Sequence, residues 1–138
     1  MKKALLPILL LAASLAQAAP AQLFKSASCG CCADYVTYLN ANGIRPQVEN
    51  RDDMDAIKRQ YGSDGAASCH TLVISGYTVE GHVPVAAIHK LLKDKPAIRG
   101  IAVPGMPADS PGMGRHTPGT LPVVAIQRDG STRDWGRF

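Results

Sequence analysis

Short apolar strands alternate with three amphipathic helices along most of the chain. Apolar residues recur at helical spacing in three segments, 31–43, 50–62 and 83–95. Strands are predicted between them, at 22–26, 44–50, 71–74 and 77–80. The turn Ser75-Gly76 joins the last two strands into a hairpin, and Pro46 favours an edge position for the second strand. The predicted order is therefore β-α-β-α-β-β-α.

The C-terminal third of the chain has a different composition. Residues 99–120 are rich in glycine and proline, and they predict a long ordered loop without a regular element. An extra strand is predicted at 122–127, followed by a turn at Asp129-Gly130 and a short tail. The pattern predicts an α/β fold with a long Gly/Pro/Met loop and one added C-terminal strand.

The first 18 residues have the composition of a secretory signal peptide. Lys2 and Lys3 precede a short apolar run, and Ala16-Gln17-Ala18 matches an A-x-A cleavage site. The run is shorter than the ~20 residues of a membrane span. We expect export by the Sec pathway, cleavage after Ala18, and a single periplasmic domain over 19–138 that does not insert in the membrane.

Charge argues against binding to nucleic acid. Removing Lys2 and Lys3 lowers the formal net charge of +4 by two, and the remaining basic residues are spread along the chain. A weak, dispersed charge gives no electrostatic footprint for nucleic acid or for a membrane surface.

The cysteines carry the most specific signal. Cys29, Cys31 and Cys32 fall within four positions after the first strand, and Cys69, the fourth cysteine of the chain, is followed by His70. A Cys-x-x-Cys motif between a strand and a helix resembles the thioredoxin fold, whose dithiol lies at a helix N-terminus. Thioredoxin-like proteins carry a cis-proline before the third strand, where this chain has Cys69 and His70. We therefore expect this pair to face the cysteine turn.

Thiols and imidazoles are soft to borderline ligands, and they favour Cu(I) or Zn(II) over calcium or magnesium. Met106 and Met113 each follow Pro-Gly in the 99–120 loop, and His116 lies three residues after Met113. Because thioether binds Cu(I) better than zinc, the methionines favour copper. The candidate ligands are Cys29, Cys31, Cys32, Cys69, His70, Met106, Met113 and His116. His82 and His89 are predicted to lie at the surface.

Each ligand also has an ordinary structural explanation. Cys29 and Cys32 could form a plain disulfide with Cys31 buried beside it. Cys69 could fill the core, and both loop methionines could pack beneath the loop. His70 could bond only to the backbone, and His116 could be a solvated loop residue.

Three stretches together, CGCC, SCHT and GIAVPGMPADSPGM, resemble a family of small secreted bacterial metal-binding proteins that includes the CopG-type periplasmic copper-tolerance proteins. The resemblance runs from about Phe24 to Val124. It implies a thioredoxin-like domain that binds Cu(I), either as a single ion or as several in a thiolate-bridged cluster, and a role in copper or silver tolerance. The ligands it implies are Cys29, Cys31, Cys32, Cys69, His70, Met106 and Met113, whereas His116 is added on spacing alone.

Three functions remain open. The first is a periplasmic copper-binding protein that sequesters Cu(I), delivers it to export or oxidase components, or couples copper redox to its thiols as a copper oxidoreductase. The second is a thiol-disulfide oxidoreductase that uses Cys29 and Cys32. The third is a structural zinc site, which the irregular C-x-C-C spacing disfavours.

Overall fold

The computed structural model describes residues 20–138, so the predicted signal peptide lies outside the described residues. Within this range seven strands form one mixed sheet in the order β2-β1-β3-β4-β5-β6-β7, accompanied by three α-helices and a 3₁₀ turn at Asp64–Ala66. None of these helices has the length and apolar character that crossing a membrane requires. The elements in chain order are β1 Gln22–Lys25, α1 Gly30–Ala41, β2 Gln47–Asn50, α2 Met54–Tyr61, β3 His70–Ile74, β4 Tyr77–Glu80, α3 Val85–Asp94, β5 Gly100–Ala102, β6 Pro122–Ile126 and β7 Thr132–Arg137.

The predicted α/β order is confirmed from β1 to α3. β1 pairs in parallel with β2 and antiparallel with β3, and β3 and β4 form the predicted hairpin. Ser75 and Gly76 both have positive φ, as a two-residue hairpin turn of type I′ requires. β2 is an edge strand, which agrees with the position of Pro46 just before it.

Two strands were not predicted. β5 lies inside the segment expected to be irregular; all three of its residues are buried, and they pair with β4 and β6. Gly100 is opposite Thr78, and a side chain there would overlap the Thr78 main chain. This glycine therefore permits close strand approach and does not mark a turn. β7 forms within the segment expected to be a tail. It is an edge strand whose side chains are mostly exposed, so its sequence lacks the apolar alternation that would have predicted it.

Strand alternation divides the apolar side chains between the two faces of the sheet. Leu23, Leu72 and Val79 belong to the main core together with buried residues of α1 and α3. Phe24, the neighbour of Leu23, points the other way and stacks on Tyr61 of α2 at a centroid distance of 5.4 Å. Helices α1 and α3 therefore cover one face, and α2 covers the other.

A buried carboxylate lies on the α2 face. Glu80 is fully buried at the end of β4 and accepts hydrogen bonds from Lys58 Nζ at 2.5 Å, Ser63 Oγ at 2.7 Å and Thr71 Oγ1 at 2.7 Å. It also accepts the main-chain N–H of Ser68 at 2.7 Å. Burying a charge is costly unless the charge is paired and hydrogen-bonded, and Glu80 meets both conditions. The network fixes the segment that immediately precedes Cys69.

We predict that Glu80→Ala destabilises the protein by about 3–5 kcal/mol, since it leaves the Lys58 ammonium buried without a counter-charge. Asp94→Ala is the control, because it removes the exposed Lys90–Asp94 pair and should cost less than ~1 kcal/mol. Urea unfolding at neutral pH measures both losses. Equal losses in the two variants would contradict the structural role given to Glu80.

Candidate metal and redox site

Three cysteines occupy the beginning of α1. Cys29 is the N-cap residue, and Cys31 and Cys32 lie in the first helical turn. Cys32 is fully buried, whereas Cys29 and Cys31 are half-buried and accessible from outside. The free N–H groups and the dipole at a helix N-terminus make this end of α1 electropositive.

Cys29 and Cys32 form a disulfide with a Cα–Cα distance of 5.3 Å. Cys31 and Cys69 are the free thiols, and all four cysteines of the chain lie in the described range. The Cys31 Sγ lies 3.6 Å from the Cys29 Sγ. This pairing corresponds to the disulfide alternative, except that Cys31 is half-exposed and not buried in the core.

Cys69 reaches the cysteine turn through strand register. Lys25, the last residue of β1, pairs with His70, the first residue of β3. Residues just after β1 and just before β3 therefore meet at the same end of the sheet. The Sγ atoms of Cys29, Cys31, Cys32 and Cys69 all lie within 4.8 Å of one another. The expected convergence of Cys69 on the cysteine turn is present in the structure.

Two imidazole rings contact the Cys69 thiol. His70 Nδ1 lies 3.3 Å from the Cys69 Sγ, and His82 Nε2 lies 3.0 Å from it. The prediction that His82 lies at the surface is wrong, because its side chain is fully buried. His89, on the outer side of α3, is exposed as predicted.

The hairpin register could have identified His82. Thr71 pairs with Glu80, and continuing the antiparallel pairing two residues further places Cys69 opposite His82. The hydrogen bond from the Gly81 N–H to the His70 carbonyl at 3.0 Å extends the ladder in this direction. The two-residue turn at Ser75-Gly76 fixes this register, so the signal was in the sequence.

The loop orients the His82 ring. His82 Nδ1 lies 2.7 Å from the Pro111 carbonyl, which can only accept a hydrogen bond. Nδ1 therefore carries the proton, and the lone pair of Nε2 points to Cys69. A carbonyl that fixes the tautomer of a histidine in this way is a common second contact of metal-binding imidazoles. His70 Nε2 is buried and has no hydrogen-bond partner among the described residues.

Tyr35 supports both rings from α1. Its centroid lies 4.5 Å from that of His70 and 5.1 Å from that of His82, and its hydroxyl donates to the Val83 carbonyl at 2.6 Å. The ring is fully buried, and burial raises the pKa of Tyr35 well above its ordinary value. Tyr35 is therefore a neutral, fixed wall of the site.

Burial keeps Cys69, His70 and His82 neutral when no metal is bound. Burial, with the neighbouring Cys31 thiol, raises the pKa of the Cys69 thiol to about 11. Burial also lowers the pKa of His70, with His82 and Lys58 adding to that shift, and it lowers the pKa of His82. A cation that enters this site replaces the thiol proton and gains a thiolate beside two neutral imidazoles.

The two Pro-Gly-Met repeats contact different segments of the site. Gly105 donates its N–H to the Ala67 carbonyl at 3.1 Å and accepts the Ser68 hydroxyl, so Met106 follows a residue bound to the Cys69 segment. Gly112 has φ of +81°, and a Cβ on it would lie 2.8 Å from the Tyr35 nitrogen in α1. Met113 therefore follows a residue seated on the helix of the cysteine motif.

The predicted ligands separate into three groups. The structure brings together five of them, namely Cys29, Cys31, Cys32, Cys69 and His70. The loop carries the two methionines beside this cluster, with Met106 55% exposed and Met113 half-buried. His116 instead lies 3.2 Å from the Asp109 carbonyl through Nδ1, and it belongs to neither group of candidate metal ligands found among residues 20–138.

The donor set consists of sulfur and imidazole nitrogen. In the described residues, neither group of candidate ligands around Cys69 contains a carboxylate. The nearby Glu80 is on the opposite face of the sheet, and both of its oxygens are already hydrogen-bonded. Such a set is suited to soft monovalent or borderline divalent transition metals and poorly suited to calcium or magnesium.

The similarity of this chain to known proteins includes the residues of the site. A family model described as a protein of unknown function, DUF411, matches residues 66–113, which include Cys69, His82 and both loop methionines. Two solved structures of the copper resistance protein CopG match with a TM-score of 0.77. Form 1 is 38% identical and the match covers 88% of this chain and 98% of that chain; for form 2 the values are 39%, 86% and 97%. No curated protein sequence matches this chain.

We predict that Gly112→Ala disrupts the packing of the 99–120 loop against α1. Both Gly112→Ala and the control Gly119→Ala introduce a side chain at positive φ, which costs about 1–2 kcal/mol. Only Gly112→Ala adds an overlap with Tyr35, since Gly119 has open space around it. Urea unfolding should show the larger loss for Gly112→Ala, and limited proteolysis should cut faster within 99–120. The same protease sensitivity in both variants would argue against tight packing of the loop on α1.

The two buried histidines predict a loss of stability in mild acid. Their pKa values are lowered on folding, so below the unfolded value of ~6.5 the unfolded chain binds more protons and unfolding becomes easier. Between pH 7.5 and 5 the free energy of unfolding should fall, with a slope approaching about 1.4 kcal/mol per pH unit for each histidine.

Urea unfolding of the metal-free, disulfide-bonded protein checks this slope. His82→Gln should flatten the pH dependence, whereas the exposed control His89→Gln should leave it unchanged. A slope in His82→Gln as steep as in the parent would show that His82 does not contribute.

Proposed function

We propose, from the premise that this chain belongs to the family of the copper resistance protein CopG, that it is a copper-binding protein of the bacterial periplasm that protects the cell from copper. Family membership rests on 38% identity over 88% of the chain. The observation that carries the proposal is the convergence of Cys69 on Cys29, Cys31 and Cys32, with all four Sγ atoms within 4.8 Å. Copper is the cargo of this site.

The donor set favours Cu(I) as the bound form. Thiolates are soft ligands, and Cu(I) is the soft ion that they select. Four sulfurs at this separation exceed what one Cu(I) ion needs, so thiolates that bridge two ions, and hence a multinuclear cluster, fit the geometry. Met106 and Met113 follow loop residues that contact the Cys69 segment and α1, and their thioethers would bind a further copper ion. The same donors suit silver, which supports a role in silver tolerance as well.

The disulfide gives the site a redox partner for copper. When Cys29 and Cys32 are reduced, their two thiols can transfer one electron each to two Cu(II) ions. The products are the Cys29–Cys32 disulfide, two Cu(I) ions and two protons. The new Cu(I) ions form within reach of the free Cys31 and Cys69 thiols. The protein would then act as a copper oxidoreductase as well as a copper carrier.

The N-terminal sequence supports the compartment. Lys2 and Lys3, the apolar run and Ala16-Gln17-Ala18 match a Sec signal peptide. The periplasm is oxidising, so a close dithiol there tends toward the disulfide unless a reductant or a metal holds it. Periplasmic copper export or oxidase components are the partners that such a carrier would supply.

A thiol-disulfide oxidoreductase is the second candidate. The disulfide at the N-terminus of α1, with Cys29 accessible and Cys32 buried, favours this activity. The segment before β3 argues against it, because Ala67-Ser68-Cys69 has no proline to present a backbone edge to a peptide substrate. Cys31 and Cys69 also have no role in a simple dithiol mechanism.

We predict that Cys31→Ser and Cys69→Ser fold normally but bind less Cu(I), because serine oxygen is a hard, weak ligand for a soft ion. An anaerobic Cu(I) titration of the fully reduced mature protein measures the ion count, and X-ray absorption identifies sulfur ligation. Ala33→Ser is the matched control, since it adds a hydroxyl to an exposed position one residue beyond the motif.

Insulin reduction separates the two candidate functions. A dithiol enzyme needs only Cys29 and Cys32, so it would retain both its disulfide-reducing activity and its copper count in Cys31→Ser. Parent-like copper binding in both cysteine variants would overturn the four-sulfur site. Tighter binding of zinc than of Cu(I) would instead indicate a structural zinc protein.

A further inference from the structure

The two cysteines outside the disulfide face each other. Cys31 lies in the first turn of α1, and Cys69 immediately precedes β3. Their Sγ atoms lie within 4.8 Å, and both side chains are half-buried, so neither is enclosed in a rigid core. The other two cysteines of the chain are already joined in the Cys29–Cys32 disulfide.

We propose that Cys31 and Cys69 form a second disulfide on further oxidation, so that the four sulfurs store four electrons in two disulfides. The inference deepens the proposed function, because it rests on copper as the physiological oxidant. The second disulfide itself is a property of the protein and is testable without copper.

The register of the sheet makes this pairing accessible. Lys25 pairs with His70, so Cys69 lies opposite the chain that leads into the cysteine turn. The Ser68 N–H bonds to the buried Glu80, and the Gly105 N–H bonds to the Ala67 carbonyl. These bonds fix the main chain before Cys69, so closing the gap to the ~2.0 Å of a sulfur–sulfur bond is left to the two cysteine side chains and the turn that carries Cys31.

The existing disulfide determines which pair remains. With Cys29 and Cys32 joined, Cys31 and Cys69 are the two thiols left in the cluster. Cys31 is also 3.6 Å from the Cys29 Sγ, so thiol-disulfide exchange within the cluster is geometrically accessible. Exchange changes which sulfurs are joined, but it leaves the total of two disulfides and four electrons unchanged.

The oxidation balances with Cu(II) as the acceptor. The thiols of Cys31 and Cys69 transfer one electron each to two Cu(II) ions and release two protons. A sulfur–sulfur bond forms between them, and two Cu(I) ions are produced. The reduced Cys29–Cys32 pair converts two more Cu(II) ions in the same way. One fully reduced protein therefore converts four Cu(II) ions to four Cu(I) ions.

The number of disulfides then sets the capacity for copper. The fully reduced protein offers four thiols, and the form with the Cys29–Cys32 disulfide offers only Cys31 and Cys69. The form with two disulfides offers no thiol. Because thiolates are the ligands that hold Cu(I) most strongly here, complete oxidation would release the ion from the cysteine site.

Stepwise oxidation of the mature protein tests the proposal. The protein is fully reduced, desalted without oxygen, titrated with diamide, and then alkylated under denaturing conditions, and intact mass counts the remaining thiols. Diamide removes two thiols per equivalent and contains no metal. We expect four alkylated cysteines to fall to two and then to none, with the protein monomeric throughout.

Tryptic mapping identifies the bond. Cleavage places Cys29, Cys31 and Cys32 in the peptide 26–51, since the Arg45-Pro46 bond resists trypsin, and Cys69 in the peptide 60–90. A disulfide that links these two peptides must involve Cys69, and fragmentation should assign its partner as Cys31. Cys31→Ser and Cys69→Ser should each retain one alkylated thiol at excess diamide, while the control Ala33→Ser should behave as the parent.

Two results would overturn the proposal. The first is a parent protein that keeps two alkylated thiols at excess diamide; the second is loss of those thiols only through disulfide-linked dimers. The Cu(I) titration of the reduced protein separates this failure from failure of the proposed function. Copper binding with a single disulfide leaves the copper function standing without the second disulfide. Two disulfides without copper binding would leave a four-electron thiol site that is not a copper site.

Discussion

The antiparallel pairing of β3 with both of its neighbours is the constraint on which the site depends. On one side Lys25 pairs with His70, and on the other Thr71 pairs with Glu80. The first residues of β3 therefore lie between the end of β1, which leads into the cysteine turn, and the end of β4, which leads into His82. A slip of one residue in either register would turn Cys69 away from its partners, because alternate residues of a strand face opposite sides of the sheet.

Polar interactions on the α2 face hold that register at the buried end nearest the cysteines. Glu80 belongs to β4 but bonds to Thr71 of β3, Lys58 of α2 and the Ser68 main chain, so one carboxylate joins three segments. Polar groups buried in this way restrict the alternatives when all of them are satisfied. The sulfurs lie on the other face of the sheet, so a charge that stabilises the fold would not compete for a metal ion bound there.

On the other face, an aromatic wall and a loop complete the site. Tyr35 comes from the same helix as the cysteine motif and packs against both histidines, so the thiols and imidazoles share one rigid support. Pro111 orients His82 from the loop, and Gly112 allows the loop to approach α1 without a steric clash. Cys69, His70 and His82 are neutral when the site is empty, and the sulfur and imidazole donors together suit a soft or borderline transition metal.

The sequence by itself determined the order of elements, the hairpin and the cysteine motif, because these depend on local periodicity and turn chemistry. The place of Cys69 and His70 opposite the motif followed from the resemblance of this order to the thioredoxin fold, in which the cis-proline position faces the dithiol. β5 did not follow from the sequence, because Gly100 reads as a turn residue and only the structure shows that it packs against the Thr78 main chain. β7 did not follow either, because an edge strand needs no apolar alternation.

The hairpin register predicts that His82 lies opposite Cys69, but tertiary structure decided that its ring joins the site and that His116 does not. His82 and His116 have similar surroundings in the sequence, each beside a glycine- or proline-containing stretch with no adjacent cysteine. Strand register carries His82 to 3.0 Å from Cys69, whereas the loop turns His116 toward the Asp109 carbonyl. The physical reason is that ligand sets are formed by long-range pairing. Sequence spacing specifies the type of donor, but only the packing of strands and loops brings the donors within bonding distance.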